Sequence, residues 1–156
     1  MKKLFYITIG LGLFIAFSCK KNTPSSQPTP APTSIGNLSV DGAAISNLVH
    51  SYFMNGGNFA VIAYGSNSIP ELQVTFSGTT TPTYGTYAIT TGAVTYGKCT
   101  LTLSDTVAGT VSTSTASSGY VNVTTSGTAP NNTLSFSNIT VAGGAGHHTL
   151  NATITY

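Results

Sequence analysis

Glu71 to Ser77 carries the cleanest two-residue period in the chain. Leu72, Val74 and Phe76 fall on one face, and Glu71, Gln73, Thr75 and Ser77 on the other. That pattern predicts a strand with one side buried. Related runs lie upstream. Leu38 and Val40 alternate within 35–40, ahead of an Asp41-Gly42 turn. Leu48 to Met54 and the nearly all-apolar Phe59 to Tyr64 flank Asn55-Gly56-Gly57-Asn58. Two apolar runs around such a glycine pair predict a tight hairpin. In its first strand Leu48, His50, Tyr52 and Met54 share a face.

The second half repeats the theme with interruptions. Gly85 to Thr90 reads as a strand. In 93–104 the phase changes, Val94 and Tyr96 on one parity and Cys99, Leu101 and Leu103 on the other, so a bulge is expected near Gly97-Lys98. Val107 to Thr113 is weakly hydrophobic and suits an edge strand, and Gly119 to Thr124 is a further strand. Leu134 and Phe136 give way to Ile139 and Val141, which implies a second bulge. After the turn Gly143-Gly144-Ala145-Gly146, the residues His148, Leu150, Ala152, Ile154 and Tyr156 share one face. About ten short strands with no useful helical period predict an all-β domain. An antiparallel β-sandwich is the expected architecture, with a small β-barrel as the alternative.

This pattern begins only at residue 35. Residues 1–18 instead have a basic start at Lys2 and Lys3, then an uncharged run from Leu4 to Phe17, then Ser18 before Cys19. The order of basic, apolar and small residues predicts a signal peptide cut between Ser18 and Cys19. The run has fourteen residues, and a membrane-crossing helix needs about 20. Residues 19–34 hold Pro24, Pro28, Pro30 and Pro32 and no large apolar side chain. They predict a disordered, polyproline-like tether reaching at most about 45 Å. The folded domain is then 35–156.

Charge sharpens this division. Four of the five cations, Lys2, Lys3, Lys20 and Lys21, lie in the leader and tether. The domain keeps Lys98 against Asp41, Glu71 and Asp105, a formal −2. Without a basic patch it has nothing to neutralise phosphates, so a nucleic-acid partner is excluded. Abundant Thr, Ser, Gly, Asn, Tyr and Val point to a strand-rich body whose surface is polar through hydroxyls. Cys99 shares a face with Leu101 and Leu103 and is expected as a small buried apolar residue.

Ala16-Phe17-Ser18-Cys19 resembles the lipobox of bacterial lipoproteins, in which the cysteine becomes the acylated first residue. Ala16 and Phe17 stand where the usual box has Leu and a small residue. Relaxed boxes followed by Lys-Lys resemble those of the Bacteroidota. The spacing of Asp41-Gly42, Gly85-Thr86-Tyr87, Ser118-Gly119-Tyr120-Val121 and Leu134-Ser135-Phe136 is similar to that of small Bacteroidota lipoproteins of uncharacterised function. The resemblance implies a sandwich-like fold, Cys19 as the lipidation site, and attachment to the outer membrane on its periplasmic or cell-surface side. It carries over no catalytic residue. Several acyl chains on one cysteine hold a protein at a bilayer where a single chain does not.

Chemistry in the domain is sparse. A glycosidase needs two carboxylates across a cleft, but Asp41 falls in a turn, Glu71 opens a strand and Asp105 falls in a loop. There is no Gly-x-Ser-x-Gly elbow around any serine. His147 and His148 would point to opposite faces of a strand, His148 inward, and do not form a metal pair. No catalytic residue, metal or cofactor is therefore expected. Asp105-Thr106-Val107 resembles the Bacteroidota O-glycosylation acceptor and places a candidate sugar on Thr106 in a turn. Asn131-Asn132-Thr133 reads as a turn. Tyr84, Tyr87, Tyr96 and Tyr120, with Tyr64, are candidates for a stacking surface. The leading expectation is a non-enzymatic envelope lipoprotein with a structural, adhesive or accessory role. It would hold the membrane through its N-terminal lipid, with a glycan or an envelope protein as partner. A module for a glycan or a small apolar ligand comes second and a hydrolase third.

Overall fold

The computed structural model describes residues 36–125 and 132–156. Ser18, Cys19, the rest of the leader, the tether and Asn131 lie outside the described residues. Eleven strands form within them: β1 (Gly36–Val40), β2 (Ala43–Ala44), β3 (Val49–Asn55), β4 (Asn58–Tyr64), β5 (Glu71–Phe76), β6 (Gly85–Ile89), β7 (Lys98–Val107), β8 (Thr110–Ala116), β9 (Tyr120–Thr125), β10 (Asn132–Gly143) and β11 (Gly146–Thr155).

The turns follow from local chemistry. Asn55 pairs with Asn58, which leaves Gly56 and Gly57 at φ +57° and +81° as the two-residue connection of the β3–β4 hairpin. Two successive left-handed residues match the twist of the flanking strands. Asp41-Gly42 turns β1 into β2 in the same way, with Val40 opposite Ala43. The two-residue β2 is an element that the apolar pattern does not predict.

Rows of apolar side chains then cross the antiparallel strands. Val61 pairs with Val74 and Val74 with Leu101, while Ala63 pairs with Leu72 and Leu72 with Leu103. Phe59, Phe76 and Cys99 make a third row. On the other side of the core, Leu38 pairs with Ala152, Ala152 with Phe136, and Leu134 with both Val123 and Ile154. Both sets belong to one buried cluster. Deleting one such leucine side chain costs about 2–5 kcal/mol.

The pairing path runs β2-β1-β11-β10-β9-β6-β7-β5-β4-β3, and β8 links β10 to β7. The path keeps two free ends, at β2 and β3, so the sheet does not close into a regular barrel. The fold is an all-β sandwich, as the strand spacing predicts. Strand β3 lies at one end, and its Tyr52, Phe53 and Met54 are exposed. The face shared by Leu48, His50, Tyr52 and Met54 therefore runs off the core, with Leu48 buried and Tyr52 outside.

Long strands change partner where their pattern slips. In β10 the register shifts between Phe136 and Ile139, with Asn138 at φ +53°. Before this bulge β10 pairs with β9 over Asn132–Ser135, and after it with β8 over Val141–Gly143. The bulge keeps Phe136 and Ile139 both buried although they stand three positions apart.

Two expectations are corrected and a third holds in part. Residues 93–97 are not the start of a bulged strand. The chain turns there, Lys98 N donates to Thr95 O at 2.9 Å, and β7 begins at Lys98. That turn lets β6 meet β7 in a short parallel pairing, Ala88 with Lys98 and Ile89 with Cys99, in an otherwise antiparallel sheet. Asp105 lies in β7, opposite Ser112, and not in a loop. The edge expected over 107–113 holds for the first part of β8, where Thr110–Thr113 pair only with β7, but not for Ser114–Ala116, which lie between β7 and β10 with Ser114 and Ala116 fully buried. Its low hydrophobicity reflects both the exposure of Thr110, Val111 and Thr113 and the small side chains at the buried Ser114 and Ala116.

Candidate functional site

Two polar features stand out. The first joins the two ends of the folded domain. Because β1 pairs with β11, the Asp41-Gly42 turn meets the start of β11. The Asp41 carboxylate accepts from Thr149 N at 2.7 Å through Oδ1 and contacts His148 Nδ1 at 2.8 Å through Oδ2. His148 Nε2 lies 2.6 Å from the carbonyl of Ala145. Carboxylate and carbonyl are both acceptors, so the ring satisfies both only as an imidazolium. The Asp41 hydrogen bond, then that to Ala145, hold His148 above the ordinary histidine value, and Asp105 adds to this through space. The His148 hydrogen bond, followed by the Thr149 amide, holds Asp41 below the usual carboxylate range.

Beside this pair, the fully buried Ser114 donates to Gly146 O at 2.9 Å and accepts from Ala145 N at 3.1 Å. The serine, aspartate and histidine thus converge on the β10–β11 turn. They do not form a relay, because His148 Nε2 faces a carbonyl and Ser114 is bonded to the backbone. The arrangement clamps a turn. No local signal in the sequence announces it, since Asp41 and His148 are 107 positions apart. His147, next door, is exposed opposite Ala142. Among the described residues no three metal-ligating side chains cluster.

The second feature is a face. Outward positions of five neighbouring strands line up in register: Thr86 of β6 with Asn122 of β9, Asn122 with Ser135 of β10, Ser135 with Thr153 of β11, and Thr153 with Asn37 of β1. A second row runs Thr124, Thr133, Thr155. None of these five strands contains Asp, Glu, Lys or Arg. The side chains partly bond one another, with Thr86 Oγ1 donating to Asn122 Oδ1 at 2.8 Å and the Thr133 and Thr155 hydroxyls 3.1 Å apart.

Two adjoining depressions lie on this face. One, of about 570 Å³, is lined by Tyr120, Asn122, Ser135, Ser137, Asn138 and Thr153 among others. The next, of about 370 Å³, shares Asn122 and Ser135 with it and adds Tyr84, Thr86 and Thr124. Tyr84 and Tyr120 are exposed, at 76% and 63%.

The four candidate tyrosines therefore divide. The structure brings Tyr84 and Tyr120 to one face. Tyr87 points the other way, edge-on to Phe76 with centroids 4.9 Å apart, and its hydroxyl donates to Thr83 O at 2.8 Å. Its parity with buried Ile89 was the sequence signal for this. Tyr96 is fully exposed in the β6–β7 connection and lines neither depression. Tyr64 is half-buried in β4.

Thr106 is exposed near the end of β7, opposite Val111, and its amide donates to Asp105 Oδ1 at 2.7 Å. The turn expected there lies just beyond, at Ala108-Gly109. Cys99 is fully buried, and burial pushes its thiol up to about 12. No protein-family model, curated protein or solved structure matches the chain.

Proposed function

We propose that this chain is a lipid-anchored envelope protein of the Bacteroidota lipoprotein type. Cys19 carries the acyl chains and holds the protein at the outer membrane. The proline-rich segment spaces the β-sandwich from the bilayer, and the sandwich acts as a non-enzymatic adhesive or accessory module. The observation that carries this reading is the junction Ala16-Phe17-Ser18-Cys19 at the end of a fourteen-residue apolar run behind Lys2-Lys3. Its length suits export and cleavage rather than a permanent span.

The domain supports the non-enzymatic part in two ways. The polar triad of Ser114, Asp41 and His148 is spent on holding a turn. The buried Cys99 is a thiol, not a thiolate, at neutral pH. Fractionation of cells producing the full chain tests the anchor. Wild-type protein sediments with membranes and Cys19→Ala is released to the soluble fraction. Equal membrane retention of Cys19→Ala refutes the proposal.

A further inference from the structure

We propose that the uncharged face centred on Asn122 and Ser135 binds a neutral polysaccharide chain, with Tyr84 and Tyr120 as its stacking platforms. Two observations on the face itself carry this. The face is polar through hydroxyls and amides alone, in rows that cross five strands in register. It has no carboxylate, ammonium or guanidinium to meet a charged partner. The occupant that matches it is rich in hydroxyls and carries no charge, which describes a neutral glycan and not an acidic one, a nucleic acid or a lipid headgroup.

The aromatic placement gives the face a direction. Tyr84 immediately precedes Gly85, which pairs with Val123, whereas Tyr120 pairs with Ala88. The two rings thus stand near opposite ends of the β6–β9 pair, about four residues or roughly 13 Å apart along the strands. Between them lie Asn122 and Ser135, common to both depressions. An aromatic at each end with hydrogen-bonding groups between suits an extended oligosaccharide better than a single sugar. Exposed tyrosine rings supply rigid contact area at small entropic cost, with a hydroxyl for the wet edge. The bulge residues Ser137 and Asn138 line the depression at the Tyr120 end, and both are exposed.

This inference does not rest on the lipid anchor, so a failed anchor and an empty groove are separate results. The test uses the full chain in detergent. Isothermal titration is run against a neutral panel of cellohexaose, xylohexaose, mannohexaose, laminarihexaose and maltohexaose, with polygalacturonate as the acidic comparison. At least one neutral oligosaccharide binds. Tyr120→Ala and Tyr84→Ala each weaken binding about tenfold or more, as removal of a central aromatic contact does. Tyr96→Ala, away from the groove, leaves it unchanged. Both groove tyrosines are exposed, so the variants keep the wild-type unfolding temperature. Any of three binding results overturns the proposal: no binding to any neutral probe, a loss in Tyr96→Ala equal to that in Tyr120→Ala, or binding of polygalacturonate with the same tyrosine dependence. A concentration-dependent dimer that Asn122→Arg abolishes assigns the face to a second copy and also overturns it.

Discussion

His148 Nδ1 and Asp41 Oδ2 meet at 2.8 Å across 107 positions of sequence. The pair ties the β1–β2 turn to the start of β11 and makes stability depend on pH. The pKa of His148 is raised, so its contribution is complete below the ordinary value of 6.5 and is lost as pH rises through the raised value. The pKa of Asp41 is lowered, so its contribution is complete above 3.8 and is lost as pH falls through the lowered value. The clamp is therefore fullest between these two ordinary values. His50 is lowered by burial, so stability also falls as pH drops below 6.5, a slope of the same sign as that of Asp41 and opposite to that of His148. The difference between wild type and His148→Gln removes that common term. Melting temperature measured from pH 5 to pH 9 shows the wild-type advantage shrinking above neutrality. Asp41→Asn, which keeps an acceptor for Thr149 N and tolerates the left-handed φ of +51°, loses the same pH-dependent part. An advantage constant across that range would count against the clamp.

Ser114 is the buried counterpart. Its hydroxyl serves Gly146 O and Ala145 N at once. Ser114→Ala leaves the Ala145 amide without its partner inside the protein. The expected cost is about 1–3 kcal/mol in denaturant unfolding. Ser112→Ala, half-buried on the same strand with no such bonds to this turn, stays within about 0.5 kcal/mol.

Gly119 sits at φ +118° between β8 and β9, and a Cβ there would come within 2.3 Å of Ile139 Cδ1. Gly119→Ala combines backbone strain with a side-chain clash, a loss of about 1–3 kcal/mol. Ile139→Val in the same chain removes the clash but not the strain. The double variant recovers part of the loss by equilibrium unfolding. Full recovery would mean that backbone conformation is not limiting.

The thiol of Cys99 is pushed up to about 12 by burial, and no part of the residue is exposed. Native protein resists iodoacetamide at pH 8 and labels fully in denaturant. Cys99→Ser places a hydroxyl in the apolar core, across from Phe76 and Ile89, and costs about 1–3 kcal/mol. Rapid labelling of the native state would contradict the packing described.

What the sequence reveals here is local. The Gly56-Gly57 hairpin, the bulge between Phe136 and Ile139, and the inward face of β11 all follow from spacing within a dozen residues. The failures are long-range. The low hydrophobicity of β8 suggests an edge, which holds for Thr110–Thr113, but β10, from later in the chain, pairs with Ser114–Ala116. The phase change at 93–98 resembles a bulge because a turn and a bulge shift parity alike. The Asp41–His148 pair arises only once β1 lies against β11. Tyr120 was readable as outward because Val121 and Val123 alternate with it. That Tyr84 shares its face depends on the β6–β9 pairing.

Cys19 is the residue on which the membrane anchor depends. Mass spectrometry of the mature N-terminus, from protein extracted out of native membranes, reads it directly. The predicted result is a chain that begins at Cys19 and carries several fatty acyl groups. A chain that begins elsewhere, or an unmodified Cys19, would contradict it.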